Sequence, residues 1–370
     1  MALDVAAEAG EVALSVVAPC FNEQDCLPEF YRRTTVVCQN VAAHDYEIVL
    51  VDDGSRDDTW RIIQTLSEAD ARVIGVHLMR NHGHQLAATA GLHVARGRRV
   101  LLIDVDLQDP PELLADMMHM LDGGADVVYG RRTAREGETW FKRASAASFY
   151  RLLSQLANVP IPQDSGDFRL MRRRVVDALL AMPERERFLR GMVSWIGGTQ
   201  VPLDYTRDRR HAGHSKYSLA KMLRFGTDAV TGFSIAPLRF AVWLGLAIAG
   251  LALLLLGYSI CRWLSGDVVT GWTSIMAATA LFAAVQLLVL GIMGEYLGRL
   301  VQEAKGRPLF LIDSVTIGGR GHSLPLDFWR LPRQGRQALL SNLAAEPEEA
   351  EAGKGGGVCH DRHRGGALRV

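Results

Sequence analysis

The chain of 370 residues carries 41 Lys and Arg against 41 Asp and Glu, a formal net charge of zero, so nothing in its charge points to nucleic acid. Its length allows a catalytic domain plus further segments. The five cysteines (Cys20, Cys26, Cys38, Cys261, Cys359) form no C-x-x-C pair and no metal spacing, which fits a reduced, cytosol-facing protein. Near the start, Asp4, Glu8 and Glu11 stand where a signal peptide would have a basic stretch and an apolar run, so none is expected.

The first predicted strand is Val12 to Pro19, an apolar, β-branched run that feeds PCFNEQD. Residues Asn22 to Asp25 can cap a helix from about Cys26 through Val41. A second strand, Tyr46 to Val51, ends in DDGSRDDTW, a carboxylate pair and a Gly54 turn before a helix from about Thr59. A third, Val73 to Leu78, leads into RNHGHQLAATAGL, with Gly83 in the loop before an Ala-rich helix over Gln85 to Ala95. Val100 to Ile103 and Asp126 to Tyr129 read as the fourth and fifth strands, with a helix over Glu112 to Leu121 between them. Strands alternating with helices at this spacing predict a parallel sheet covered on both faces. No G-x-G-x-x-G follows the first strand, which disfavours a dinucleotide-binding Rossmann domain.

The stretch DVDLQDPPE, Asp104 to Glu112, follows the fourth strand. Side chains two residues apart point the same way, so Asp104 and Asp106 can share one ligand at a strand's C-terminal end, where open α/β sheets bind theirs. Two hard oxygens suit Mg²⁺ or Mn²⁺ completed by substrate phosphates, and Gln108 could give a third. The alternative is an acid-rich surface turn.

Together PCFNE, VDDGSRDDT, RNHGHQLAATAGL and DVDLQDPPE resemble the family 2 glycosyltransferases of GT-A fold. More narrowly, YGRRTAREGETWFKR, DSGDFRLMRR and HAGHSKYSLAKM resemble the polyprenyl-phosphate glycosyltransferases, relatives of dolichyl-phosphate mannose synthase and of bacterial undecaprenyl-phosphate glucosyltransferases. The resemblance covers roughly residues 12 to 312. It implies an α/β fold: a GT-A-type nucleotide-sugar domain with a mostly parallel sheet, then an amphipathic interfacial helix and a transmembrane hairpin. It also implies that Pro19, Phe21, Glu23, Asp52, Asp53, Asn81, Gly83 and Asp104 bind the nucleotide-sugar, and that Asp104, Asp106 and Gln108 surround Mg²⁺ or Mn²⁺.

Arg131, Arg132, Arg135, Lys142 and Arg143 crowd the segment after the fifth strand, and Arg207, Arg209, Arg210 and Lys216 recur later. Such a cluster is either a solvated face or an anion site, since Arg recognises phosphate through paired donors. The resemblance implies that Arg131, Lys142, Arg143, Ser145 and Lys216 hold an acceptor phosphate. It also favours Asp167 over Asp164 as the carboxylate near the acceptor, with Asp106 its catalytic companion. A phosphate monoester is already largely ionised at neutral pH, so Asp167 is expected to orient groups more than to remove a proton.

From Ser218 the residues Leu219, Met222, Leu223, Gly226, Ala229, Val230 and Phe233 make an apolar stripe, read as a helix in the membrane interface. Leu238 to Cys261 and Ser274 to Gly294 are apolar runs of about the 20 residues that cross a bilayer. Lys and Arg abound before the first and after the second, with only Arg262 between, so both termini are expected in the cytoplasm. The expected divisions are 1–11 (extension), 12–215 (catalytic), 216–236 (interfacial helix), 237–298 (hairpin), 299–330 (cytosolic segment) and 331–370 (disordered tail).

The expected activity is inverting transfer of a sugar, with UDP-glucose the leading donor, to polyprenyl phosphate at the inner membrane of a bacterium. The expected partners are these two substrates, membrane lipid and further copies of the chain. A processive polysaccharide synthase and a non-catalytic scaffold for lipid-linked sugar export are the rival readings. The synthase is expected to carry a Q-x-x-R-W run, and Arg190-Gly-Met-Val-Ser-Trp195 is not one.

Overall fold

The structure is a computed structural model, described here for residues 12–132, 165–206, 236–265 and 271–345. Strands β1 (Leu14–Cys20) and β2 (Tyr46–Asp52) are buried along their whole length, as continuous apolar runs in a sheet covered on both faces should be. Around them a nine-stranded sheet runs in the order β7-β5-β6-β4-β1-β2-β3-β8-β9, with β3 Val73–Leu78, β4 Arg99–Leu102, β5 Val127–Arg132, β6 Ser165–Arg172, β7 Gln200–Tyr205, β8 Ile312–Ile317 and β9 Arg320–His322. The β4-β1-β2-β3 centre is parallel. Antiparallel β6 and β8 flank it, so the sheet is mostly rather than wholly parallel.

Period-two alternation divides the core. Val16, Ile48 and Leu50 face α1 (Leu27–Ala42), α2 (Thr59–Ala69) and α4 (Leu114–Asp122). Val17, Val49 and Val51 face α3 (His84–Val94), α5 (Arg173–Ala181) and α6 (Leu189–Ile196). Helix α3 lies close because its sequence is small: a Cβ on Gly91 would stand 2.4 Å from Val17 Cγ1. The Ala-rich run that predicted this helix is thus what lets it approach the sheet.

Two long apolar helices follow, α7 (Ala236–Leu264) and α8 (Trp272–Ala304). They pack against each other, and each contains a window long and apolar enough to cross a membrane, Pro237–Leu255 and Leu281–Ala304. The chain then returns to the nine-stranded sheet: β8 pairs with β3, and α9 (Arg333–Ala345) packs on α3. This corrects the expectation of a disordered tail from residue 331. Leu340 is buried in the α3 face of the core and Arg336 Nε donates to the carbonyl of His93 at 3.2 Å, so 331–345 is part of the fold. Likewise the catalytic unit does not end at 215, since β8, β9 and α9 complete it from beyond the hairpin. The 1–11 extension, the interfacial helix expected at 216–236 and the tail beyond 345 lie outside the described residues, apart from Ala236 at the start of α7.

Candidate active site

The loops at the C-terminal ends of β1, β2, β3 and β4 are tied to one another. Asn22 N–H donates to Ser55 Oγ at 2.9 Å, and Asn22 Oδ1 accepts from the Arg56 amide at 2.9 Å. The Glu23 amide reaches Thr59 Oγ1 at 2.9 Å. Asp53 accepts from the amides of His82 at 2.7 Å and Gly83 at 2.9 Å, which fixes the start of α3. Asp52 is buried and accepts from the Ser55 amide at 3.2 Å, with His77 Nδ1 2.7 Å away. The carboxylate pair expected at this rim therefore also shapes it. Gly54 sits at φ 66°, and a Cβ there would be 2.7 Å from backbone atoms of Arg80 and Asn81, so only glycine fits this crossing of loops. Pro19 is buried within β1, while Phe21 and Asn81 lie exposed on the rim.

Asp104 and Asp106 stand just past β4, as the D-x-D spacing predicts. Between Asp106 and Gln108, Leu107 is buried with φ 59°, a conformation that costs a non-glycine residue free energy and clusters at functional loops. The Gln108 amide donates to Asp106 Oδ1 at 3.1 Å. Burial, with the charges of Asp167, Asp109 and Asp106, pushes the Asp104 carboxyl up to about 6 against the opposing pull of His84.

Asp167 comes from antiparallel β6, which the sequence did not announce as a strand, and is 5% exposed. Gln85 Nε2 donates to its Oδ2 at 2.8 Å and Arg190 Nε to its Oδ1 at 3.0 Å. His84 Nε2 lies 3.3 Å from Asp167 Oδ2 and 3.4 Å from Asp104 Oδ1. Burial alone would raise Asp167, but Arg190, the His84 hydrogen bond and Arg169 outweigh it and hold the carboxyl well below its usual range. Burial would lower His84, but its hydrogen bond to Asp167 and the two carboxylate charges carry it up to about 9. Sequence reasoning missed His84, Gln85 and Arg190. The first two lie within RNHGHQLAATAGL, and Arg190 stands in the run that departs from the synthase pattern.

The basic segment divides by strand alternation. Arg131 pairs with Asp204, Nε to Oδ1 at 2.5 Å, on one face of β5. Arg132, on the other, approaches Asp109 Oδ1 at 3.6 Å and donates to the Tyr205 hydroxyl at 3.3 Å, beneath the D-x-D loop. Arg132 rather than Arg131 thus faces the carboxylate rim. Lys142, Arg143, Ser145, Lys216 and Asp164 lie outside the described residues.

The family model described as glycosyl transferase family 2 matches residues 15–180. YkcC of Bacillus subtilis (strain 168), an uncharacterized glycosyltransferase, is 43% identical over 302 residues, 81% of this chain and 93% of that protein. The chain belongs to glycosyl transferase family 2. This family member is also 36% identical to the prophage bactoprenol glucosyl transferase homolog of Escherichia coli (strain K12), over 82% of this chain and 99% of that one. A glucosyl-3-phosphoglycerate synthase from Mycobacterium tuberculosis, solved with Mn²⁺, UDP and glucosyl-3-phosphoglycerate, aligns at TM-score 0.43 and 18% identity, over 60% of this chain and 78% of that one.

The residues of this glycosyltransferase fit a divalent ion. Asp104 Oδ1 is buried and accepts no hydrogen bond among the described residues, the His84 ring standing off at 3.4 Å, so the acceptor still has room for a closer positive partner. Among the described residues no three His, Cys, Asp or Glu are grouped as metal ligands.

Proposed function

We propose that the protein transfers a sugar, from UDP-glucose as the leading donor, to a polyprenyl phosphate at the cytoplasmic face of a bacterial inner membrane. The observation that carries this reading is the meeting of Asp104 and Asp167 at His84, on the rim where four strand-end loops converge. The similarity to a bactoprenol glucosyl transferase homolog supports a lipid phosphate acceptor, and the apolar helix pair supplies a reason for it: the acceptor's head group is found at the bilayer surface. In this reading Pro19, Phe21, Glu23, Asp52, Asp53, Asn81 and Gly83 shape the nucleotide pocket, and Arg131, Lys142, Arg143, Ser145 and Lys216 are the candidates for the acceptor phosphate. To these the geometry adds Arg132.

Asp104 and Asp106, with Gln108, would hold Mg²⁺ or Mn²⁺, which when bound supplies positive charge against the departing nucleoside diphosphate. A phosphate oxygen of the acceptor forms a bond to the anomeric carbon as the bond to the diphosphate breaks. The electron pair leaves with the diphosphate and the configuration inverts. The attacking oxygen is already anionic near neutral pH, so no strong base is required. Asp167, held ionised by Arg190, His84 and Arg169, is a poor proton acceptor and instead fixes His84 and Arg190 at the reaction site.

Charge asymmetry supports a topology with both termini cytoplasmic. Glu295, Arg299 and Glu303 charge the last turns of α8, so the crossing is best taken over Ser274 to Gly294, the uncharged part of the helix. Two spans of this kind would gain by packing against further copies. The deciding assay supplies radiolabelled UDP-glucose and purified polyprenyl phosphate to the full chain. Chloroform-soluble label is the expected result. Label in a long polymer would instead indicate a synthase, and no transfer from any of a panel of nucleotide-sugars would indicate a scaffold.

A further inference from the structure

Residues 185–190 form a strap between the membrane hairpin and the catalytic carboxylate. At its start, the Arg185 guanidinium donates to the carbonyls of Arg307 and, at 3.3 Å, Pro308, just beyond α8. Glu186 forms an ion pair with Arg299 of α8. In the middle, Arg187 donates to the carbonyls of Leu179 at 2.8 Å and Met182 at 2.7 Å, fastening the strap to the end of α5. At its far end the Leu189 amide donates to Gln85 Oε1 at 3.0 Å, and Arg190 Nε to Asp167 Oδ1 at 3.0 Å.

Two features separate the Arg299–Glu186 pair from an ordinary surface contact, which would contribute little. First, although Glu186 is 49% exposed, the Arg299 side chain is only 15% exposed, and a charge partly taken out of water needs partners to be tolerated. It has Glu186 and, one helical turn back, Glu295 at 3.3 Å. Second, the strap has little slack. Glu186 and Arg190 are only four positions apart, a reach of at most ~14 Å even when extended, and Arg187 between them is held by the end of α5. A cavity of about 290 Å³ lies behind the strap, lined among others by Arg185, Arg187, Glu303 and Gly306.

We propose that Arg299 and Glu186 are positioning residues for sugar transfer: their pairing ties the membrane hairpin to the strap and so sets Arg190 and the Asp167 carboxylate in register with a head group presented at the bilayer surface. The inference rests on the lipid-phosphate transferase reading given above. It explains why the active site holds Asp167 through a residue whose helix starts three residues after a contact with a membrane-crossing helix. The register of the site to the membrane is then built into the chain, not left to the loop order alone.

The test uses the full chain in lipid nanodiscs with polyprenyl phosphate, comparing wild type with Arg299→Glu, Glu186→Arg and the double exchange. Each single reversal is expected to lower kcat for lipid glycosylation about tenfold, as coupled contact pairs do. The Michaelis constant for the nucleotide-sugar and the thermal midpoint should stay near wild type. The double exchange should restore most of kcat, which a merely structural loss at either position would not allow. If the reversals do not fold, Arg299→Lys and Glu186→Gln read the same quantity: the first keeps most of the turnover and the second loses it. Single variants with wild-type kcat, or a folded double exchange no better than the singles, overturn the inference while the transferase reading stands. A wild type that makes no lipid-linked sugar overturns that reading, and the inference with it.

Discussion

Gln85 holds Asp167 from one side and the first turn of α6 from the other: its Nε2 donates to Asp167 Oδ2 at 2.8 Å while its Oε1 accepts from the Leu189 amide at 3.0 Å. One amide thus aligns the carboxylate with the helix that carries Arg190. Hydrogen bonds to charged groups contribute about 1.5–3 kcal/mol, so Gln85→Ala is expected to lower kcat roughly 10- to 100-fold. Nucleotide-sugar affinity, measured by calorimetry, should be nearly unchanged. Wild-type turnover would remove Gln85 from the site.

The D-x-D carboxylates give a second prediction. Asp106→Asn removes one oxygen charge beside Asp104, and losing electrostatic help to a leaving group costs on the order of 3 kcal/mol in the transition state. Turnover should fall accordingly, with the thermal midpoint little altered. Excess EDTA should abolish transfer in the wild type, and Mn²⁺ or Mg²⁺ should restore it. Full activity in EDTA would end the metal role.

Gly54 tests whether the loop crossing matters as built. Its φ of 66° and the 2.7 Å approach to the backbone of Arg80 and Asn81 leave no space for a side chain. Gly54→Val should cost on the order of 2 kcal/mol through strain and push the β3–α3 loop off Asp53. Denaturant unfolding measures the loss, and weakened nucleotide binding should accompany it. Unchanged stability would mean that the two loops separate easily.

The strands β1 to β5 were legible because their apolar runs are bounded by turn residues, and the rim carboxylates because they fall at strand ends. Strand β6 was not. SGDFRLMR does alternate, Phe168 and Leu170 on one face against Asp167 and Arg169 on the other, but its Ser-Gly-Asp start and its charges read as a turn. The returning β8, β9 and α9 were hidden by the hairpin, which separates them from the sheet they complete. His84 and Arg190 escaped notice for a similar reason. Their meeting at Asp167 depends on α3 and α6 converging from sequence positions about 100 residues apart (Gln85 to Leu189), a tertiary fact with no local pattern. Arg132 was not separable from Arg131, because the expected strand stopped at Tyr129 while the observed one runs to Arg132 and only there do the two face opposite ways.

Topology has a direct check. Reporters at the N-terminus and after Leu300 should read cytoplasmic, and one inserted at Gly266 should read outside, because Lys and Arg flank the two apolar runs but scarcely occur between them. Termini in opposite compartments would mean that one of the runs does not cross.

The last prediction concerns acid stability. His93, at the opposite end of α3 from His84, is 5% exposed, packs against Phe310 with ring centroids 5.8 Å apart, and lies under α9. Burial first, then the neighbouring charges of Arg336 and Arg187, pushes its pKa down to about 3. Above the unfolded value of about 6.5 the ring is neutral in both states and its titration contributes nothing. As pH falls below that value the unfolded chain takes up a proton that the folded chain refuses. Stability is then lost at up to about 1.4 kcal/mol per pH unit for this group, until the folded pKa is approached. Carboxylates titrate in the lower part of this window too, so the informative quantity is the difference from His93→Gln, which keeps a polar side chain but has no such proton. Between pH 7 and 5 the thermal midpoint of the wild type should fall more steeply than that of the variant. Parallel curves would mean that His93 finds a way to charge without opening the packing between α3 and α9.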